Sequence, residues 1–513
     1  MTYPDFQSFV RALDEVGDLK RISAEVDPIL EISAIADRVS KLPSAGGLDP
    51  PSTDPIHGRQ GGHALLFENV KGSSWPVAIN TFGSYRRVMM ALGCDDFEEL
   101  AGRIEALIKP KMPTTLIGKM KKLPELAKLA SFGPKTVKKG MCQEVVHTED
   151  ANLCELPLIQ CWPDDGQSGC GGKPADVTAG TGRYITLAGI YTVDPETGDR
   201  NVGMYRVQLY DAKTMAMHWH MHHDGARHYR KYASAGKPMP LAIVLGGDSV
   251  LTYAATCPLP PDVSELLFAG FLKGKGIELV ACKTIPLEVP ASAELVIEGW
   301  VDPHEKLWEG PFGDHTGYYS LADRYPKFTV SAITHRKNPI YPTTIVGKPP
   351  MEDYYLGKAT ERIFLPLLKM IVPDIIDYHL PRFGSFHHCA FIKIKKEYPY
   401  HARKVMHAIW GAGQMAFTKL IIVVDQDVEV HDEQEVLFTM CANIDPSRDL
   451  ELVTGPLDIL DHASVIYGGG GKLGIDATRK LPGEERVRSW PDELIMSDEV
   501  QQLVQRRWNE YGL

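Results

Sequence analysis

The chain has no paired cysteines, no long apolar run and no basic excess. Its nine cysteines (Cys94, Cys142, Cys154, Cys161, Cys170, Cys257, Cys282, Cys389 and Cys441) stand singly. None forms a CxxC pair, which excludes zinc ribbons and dithiol redox motifs, and an odd count without framework spacing fits reduced thiols. No apolar stretch approaches the roughly 20 residues that a bilayer-spanning helix needs. The formal net charge is -11, whereas a protein that tracks phosphates needs a basic face. Nucleic acid is therefore not an expected partner. Internal repeats and long low-complexity segments are also missing. What is present is a 513-residue chain of ordinary globular composition, too long for one comfortable core, so two or three domains are expected.

Near the start, Phe6, Phe9, Val10, Leu13 and Val16 recur at helical spacing between charges, with Gly17 as a C-cap. This is not the pattern of a secretory leader, and a cytoplasmic location is expected. Residues 1–135 mix amphipathic helices with short strands and read as an α/β domain. Within them, residues 43–62 are rich in Gly, Pro and Ser and predict a surface loop or insertion. Residues 109–139 interleave lysines with apolar positions, which suits a solvated helical face or contact with a membrane surface. Residues 136–337 turn to β: runs at 184–193, 203–210, 241–245 and 328–334 lie between turn signals such as 194–199 and predict a barrel or sandwich. Residues 338–490 alternate strands (390–394, 420–425) with a helix (401–410), an α/β unit. A polar helix closes residues 491–513, from about Ser497 to Tyr511.

Three segments concentrate unusual polar residues. The first is Asn201-Val-Gly-Met-Tyr-Arg206. In the second, His218-Trp-His-Met-His-His-Asp-Gly225, an extended backbone would put His218, His220 and His222 on one face. That face suits a metal or anion site, or simply a solvated histidine-rich strand. In the third, Glu309 and Asp314 flank a Gly-Pro-Phe-Gly turn that can hold two carboxylates on one side of a cavity. Repulsion and burial would then raise at least one pKa, as a proton donor at neutral pH requires; two ordinary loop acids are the plainer alternative. The run Gly469-Gly-Gly-Lys-Leu-Gly474 matches GxGxxG formally, but no βαβ unit follows. A flexible loop closing on a ligand is the better reading.

These segments, in this order, resemble the UbiD family of reversible non-oxidative decarboxylases. The likeness also covers Gly17-Asp-Leu-Lys-Arg21, Glu288-Val-Pro-Ala-Ser-Ala-Glu294, Gly347-Lys-Pro-Pro350 and Lys472-Leu-Gly-Ile-Asp-Ala-Thr478. The resemblance implies an α+β and α/β multidomain fold with a central, flavin-reductase-like split β-barrel that binds prenylated FMN. It implies a divalent metal, usually Mn2+, on Asn201, His222 and Glu265, with K+ nearby. It implies a catalytic set of Arg206, Glu309 and Asp314, in which Arg206 holds the substrate carboxylate and Asp314 protonates the carbon that CO2 leaves. Cofactor contacts fall on Met204, Tyr205, Arg206, Trp219, His220, His222 and Glu265, and on a lysine of the Lys395-Lys396 pair, taken as Lys396. Expected partners are a small aromatic carboxylate, an FMN prenyltransferase that supplies the cofactor, and further copies of the chain in a dimer or hexamer. The expected substrate is a 4-hydroxy-3-polyprenylbenzoate-like acid of ubiquinone-type synthesis. Its rivals are a menaquinone-type naphthoate or a phenolic or fused-ring catabolic acid, and a flavin- or metal-binding protein without turnover. One departure stands out: His218 and His223 occupy positions where ubiquinone-type members carry arginines.

Overall fold

The computed structural model describes all residues except 46–50, 109–130, 178–179, 221–222, 261–262, 485–488, 493 and 513. The opening helix, Phe6–Glu15, is capped by Asp5, whose Oδ1 accepts from Ser8 N at 2.8 Å, and it buries Phe6, Phe9, Val10 and Leu13. Gly17 follows at φ 73°, a conformation that glycine adopts without strain, and Val16 is left exposed. A four-stranded sheet comes next, built from Leu19–Val26, Ala64–Val70, Val77–Ile79 and, from far along the chain, Tyr341–Thr343.

The segment expected as a surface loop, 43–62, is partly an inside piece. Asp54 is buried, and its Oδ2 accepts from both Tyr85 and Tyr354 hydroxyls at 2.8 Å. Two phenol donors supply the partners that a buried carboxylate needs, so this loop is pinned to two helices. Most of the lysine-rich 109–139 stretch lies outside the described residues.

The centre is an antiparallel sheet of nine strands among the described residues. From edge to edge it runs Tyr184–Ile185, Val207–Leu209, Thr214–Met217, Asp323–His335, Leu295–Glu309, Met239–Leu245, Gly189–Val193, Arg200–Met204, with Val145–His147 beside Asp323–His335. The strand Arg200–Met204 ends this order, and Val207–Leu209 stands next to its other end. Only Tyr205 and Arg206 join them in sequence, a reach of about 11 Å at full extension. A flat sheet of this width could not be bridged so shortly, since neighbouring strands are roughly 4.8 Å apart. The sheet therefore curls until its ends meet, which is the split barrel expected. The runs expected as single strands, 184–193 and 203–210, are each broken in two, and the second break lies at Tyr205-Arg206.

The C-terminal part is a five-stranded mixed sheet in the order Ile375–His379, Cys389–Ile394, Leu420–Asp425, Gly469–Asp476, Leu450–Pro456. The helix His401–Trp410 packs on it. Here the glycine-rich run is corrected: it is not a loop but the strand Gly469–Asp476, parallel to Leu420–Asp425. Gly474 is glycine for a packing reason, because a Cβ would fall 2.5 Å from Met406 Sδ. The last helix spans Asp498–Arg507 and tightens to a 3-10 turn over Trp508–Tyr511. Ser497 occupies the N-cap position without a side-chain bond. Among the described residues no helix is long and apolar enough to cross a membrane.

Candidate active site

The seam of the barrel carries the site. The strand break at Tyr205-Arg206 turns Arg206 inward, where its side chain is only 9% exposed beside a fully buried Glu309. Arg206 Nε donates to Glu309 Oε1 at 2.8 Å and Nη2 to Glu309 Oε2 at 3.2 Å, a two-pronged pair. Arg206 Nη1 donates to Asp314 Oδ2 at 2.8 Å, Nη2 to Ser320 Oγ at 2.9 Å, and the guanidinium lies 4.6 Å over the Phe312 ring. Glu309 is the last residue of the long strand Leu295–Glu309, and the turn after it brings Asp314 to the other edge of the same guanidinium. That turn is braced by Asp165, whose Oδ1 accepts from Gly313 N and Oδ2 from Trp162 N, each at 2.8 Å. Gly313 admits no Cβ, which would fall 2.0 Å from Trp162.

This geometry corrects one expectation. Glu309 and Asp314 do not repel each other into a raised pKa. Burial pushes Glu309 up, but Arg206 and His218 outweigh it and hold the carboxyl at about 2. For Asp314 burial is likewise overcome, by the hydrogen bond and charge of His315 and by Arg206, and its pKa falls well below the usual carboxylate range. The cation between the two acids decides the sign. Burial instead raises Asp165, to about 7.

The histidine run begins one residue after the strand Thr214–Met217 ends. His218 Nδ1 donates to Glu309 Oε2 at 2.7 Å, its Nε2 lies 2.8 Å from His220 Nε2, and its ring packs 4.4 Å from Tyr325. Burial and the neighbouring Arg206 lower the His218 pKa, so it serves as a neutral donor. His220 stacks on His223 at 4.7 Å, and His223 packs at 4.7 Å on Tyr205. The side-by-side placement expected for this run thus holds for His218 and His220, while His222 lies outside the described residues.

A second group of residues fits a metal and a polar cofactor. Among the described residues Trp219 Nε1 is buried without a hydrogen-bond partner, and the buried Asn201 amide lies beside the Tyr205 hydroxyl. Glu265 opens the helix Glu265–Lys273 and accepts from Val202 N at 2.8 Å through Oε2. Among the described residues no cation pairs with it, and burial pushes its carboxyl up to about 7. A partly buried carboxylate with no cation, beside the amide oxygen of Asn201, offers oxygen ligands that a divalent ion would take, while the Trp219 N–H would donate to an anionic cofactor group. Met204 N donates to Ala255 O at 2.9 Å, which anchors the same strand end.

Lys396 is placed elsewhere. Its ammonium is buried against Asp476, Thr478 and Glu484, all in the C-terminal domain, at 3.5, 2.9 and 2.9 Å. That network accounts for its donors, and a reach to a flavin finds no support in its hydrogen bonds. Sequence reasoning also missed His315, Ser320, Asp165 and the C-terminal segment that faces the site. In that segment His462 packs 4.0 Å from Tyr318, and the Tyr467 hydroxyl hydrogen-bonds with Tyr325. Elsewhere in the C-terminal part, the adjacent pair His387-His388, whose rings lie 4.6 and 5.8 Å from that of His315, was the legible signal.

Comparison with known proteins agrees along the whole chain. Residues 10–107, 135–349 and 354–477 match the N-terminal, Rift-related and C-terminal domains of 3-octaprenyl-4-hydroxybenzoate carboxy-lyase. An uncharacterized protein of Aquifex aeolicus (strain VF5) is 47% identical over 512 residues, covering 100% of this chain and 99% of that one. The closed form of vanillic acid decarboxylase from Sedimentibacter hydroxybenzoicus superposes with a TM-score of 0.81 at 26% identity, over 100% of this chain and 99% of that one. An evolved dimeric form of the UbiD-class enzyme HmfF from Pelotomaculum thermopropionicum, in complex with prFMN, gives 0.73 at 26% identity over 95% and 97%. With the three domains matched in order and the Arg206 cluster at the barrel seam, the chain belongs to the UbiD family of carboxy-lyases.

Proposed function

We propose that the protein catalyses reversible, non-oxidative decarboxylation of an aromatic acid with prenylated FMN, the acid being of the 4-hydroxy-3-polyprenylbenzoate type. The observation that carries the reaction is the buried Arg206–Glu309–Asp314 cluster. Loss of CO2 from an sp2 carbon leaves an electron pair that no side chain delocalises, and prenylated FMN, when bound, supplies the sink. Arg206 offers a planar fork that matches a substrate carboxylate. Glu309 keeps that fork oriented and is itself kept by His218. When the substrate carboxylate takes Arg206 Nη1 from Asp314, Asp314 loses a cationic partner in a buried setting. Burial then pulls its pKa up from that low value against the remaining hold of His315, and a proton taken up from solvent on the freed Oδ2 is the one the acid delivers to the carbon.

Asn201 and Glu265, together with His222, would hold Mn2+ or a similar ion against the cofactor phosphate, with K+ nearby. Met204, Tyr205, Trp219 and His220 would line the cofactor. An FMN prenyltransferase supplies it, and the enzyme works as a cytoplasmic homo-oligomer. The prenylated substrate is supported by an apolar rim. Tyr318, Leu321, Val465 and Ile466 are exposed on the two segments that meet through Tyr318–His462 and Tyr325–Tyr467, and a polyprenyl tail would cover such a surface. The test is CO2 release from aromatic acids by enzyme co-expressed with an FMN prenyltransferase. Bound prenylated FMN with no release from any of them would overturn the reading.

A further inference from the structure

We propose that His315, His387, His388 and Asp458 form a second metal site, for a divalent transition ion, which ties the C-terminal domain to the barrel beside Asp314. Each residue offers one ligand atom, and these atoms all lie within 4.8 Å of one another. The four come from three separate stretches of chain. His315 follows Asp314 in the barrel turn. His387 and His388 follow the 3-10 turn Arg382–Gly384, after Ser385 and Phe386 at φ 49° and 51°. Asp458 lies two residues beyond the strand Leu450–Pro456.

The nitrogen atoms themselves point to a ligand. His315 Nδ1 is held by Asp314 Oδ1 at 2.9 Å, which leaves Nε2 as its ligand atom. Among the described residues, that Nε2 and the Nε2 of His388 are both buried without a hydrogen-bond partner, and the His315 side chain is 9% exposed. Buried polar atoms are nearly always paired, so two unpaired imidazole nitrogens in one cluster mark a missing partner. His387 Nε2 is hydrogen-bonded to Asp458 Oδ2 at 2.6 Å, and His388 Nε2 lies 4.0 Å from the same oxygen, beyond hydrogen-bond reach. Three imidazoles and one carboxylate suit Zn2+, Co2+ or Fe2+ better than Mg2+ or Ca2+, which prefer oxygen. A carboxylate behind a ligating histidine, as Asp314 stands behind His315, is the usual outer support of such ions.

A second cluster provides the contrast. Glu361, His379 and His431 also converge. There, however, Lys358 Nζ already sits 2.6 Å from Glu361 Oε2 and 2.9 Å from His379 Nδ1. An ammonium fills that place, whereas among the described residues Asp458 has no lysine or arginine partner and only His387 and His388 face it. A metal on His315 Nε2 requires the ring to be neutral with its proton on Nδ1. Asp314 Oδ1 is then always an acceptor from His315, and the metal positions Asp314 without touching the substrate.

The test is Co2+ titration of the full-length protein without substrate, read by d–d absorption and by metal analysis. The family-type site is disabled by Glu265→Gln, so that only the new site remains. One equivalent of Co2+ with a visible band is expected in the Glu265→Gln protein, and loss of that band in Glu265→Gln proteins that also carry His387→Ala or His388→Ala. Should those alanine variants fail to fold by circular dichroism, Asp458→Asn keeps the side-chain shape and should shift the band by changing the ligand field. Absence of Co2+ from the Glu265→Gln protein, or an unchanged band in the histidine and Asp458 variants, would overturn the site and assign these histidines to substrate contact. CO2 release is not read in this experiment, so its failure leaves the decarboxylase reading untouched.

Discussion

Asp314 and Arg206, 108 positions apart, are joined by a 2.8 Å hydrogen bond through Asp314 Oδ2, while Oδ1 of the same carboxylate belongs to His315. Each oxygen of this acid therefore has its own partner. Only the Arg206 bond is one that a substrate carboxylate can take away.

That division makes Asp314→Asn the sharpest substitution in the site. The amide keeps the shape but cannot deliver a proton, so turnover should fall by about 10²–10⁴ while cofactor still binds. Steady-state rates and the flavin spectrum on one preparation separate the two effects. A rate close to wild type would move the proton donor to Glu309 or to water.

Glu265→Gln should lose divalent metal and flavin together, because the ion would bridge this carboxylate to the cofactor phosphate. Metal analysis and flavin absorption of the purified variant check this. Full flavin retention in a metal-depleted variant would count against the bridge.

The substrate is decided by hydrogen exchange. In D2O the loaded enzyme should exchange the ring hydrogen of its true decarboxylated product, and a 2-polyprenylphenol is expected to exchange. Exchange confined to small or fused-ring aromatics, with the prenylated phenol inert, would refute the polyprenyl acid and leave the reaction standing.

Stability should hinge on a pair far from the chemistry. Arg87 and Asp18 are both fully buried and joined at 2.8 Å, and Arg87 also donates to the carbonyls of Gly61 and Gly62 at 2.8 Å. Arg87→Ala leaves Asp18 buried and unpaired, a loss of about 3–5 kcal/mol. Urea unfolding of the N-terminal region should show it, and a change under 1 kcal/mol would contradict the argument.

Acid sensitivity follows from Glu361. Burial pushes this carboxyl up, but Lys358 and Arg362 hold it at about 2. A depressed folded pKa means stability that is complete above the unfolded value of about 4.3 and lost as pH falls through the folded one. Glu361→Gln should thus be less stable than wild type at pH 6, with the gap closing between about pH 4 and 2. A gap independent of pH would show that Glu361 is not held ionised.

Period and composition made much of the fold legible. The spacing of Phe6, Phe9, Val10 and Leu13, the β-branched run at Leu420–Asp425 and the helix His401–Trp410 all appear where local pattern puts them. Glycine was harder to read, because Gly474 is required by Met406 from another element and not by the backbone. At the site, the types of Arg206, Glu309 and Asp314 were visible, but their ionisation was not, since it depends on a guanidinium placed between them by a strand break. His315 and Asp458 went unread for a similar reason: 143 positions of chain separate them, and only the packing of the C-terminal segment against the barrel joins them.

The two-residue link at Tyr205-Arg206 has a bearing on how this chain can diverge. Surface connections elsewhere can lengthen at small entropic cost, but an insertion here would unfasten the barrel edges and swing the arginine out of the cavity in one event. Drift in length should therefore gather in the outer loops and spare this point, and splitting the gene there should yield two fragments that associate poorly and are inert.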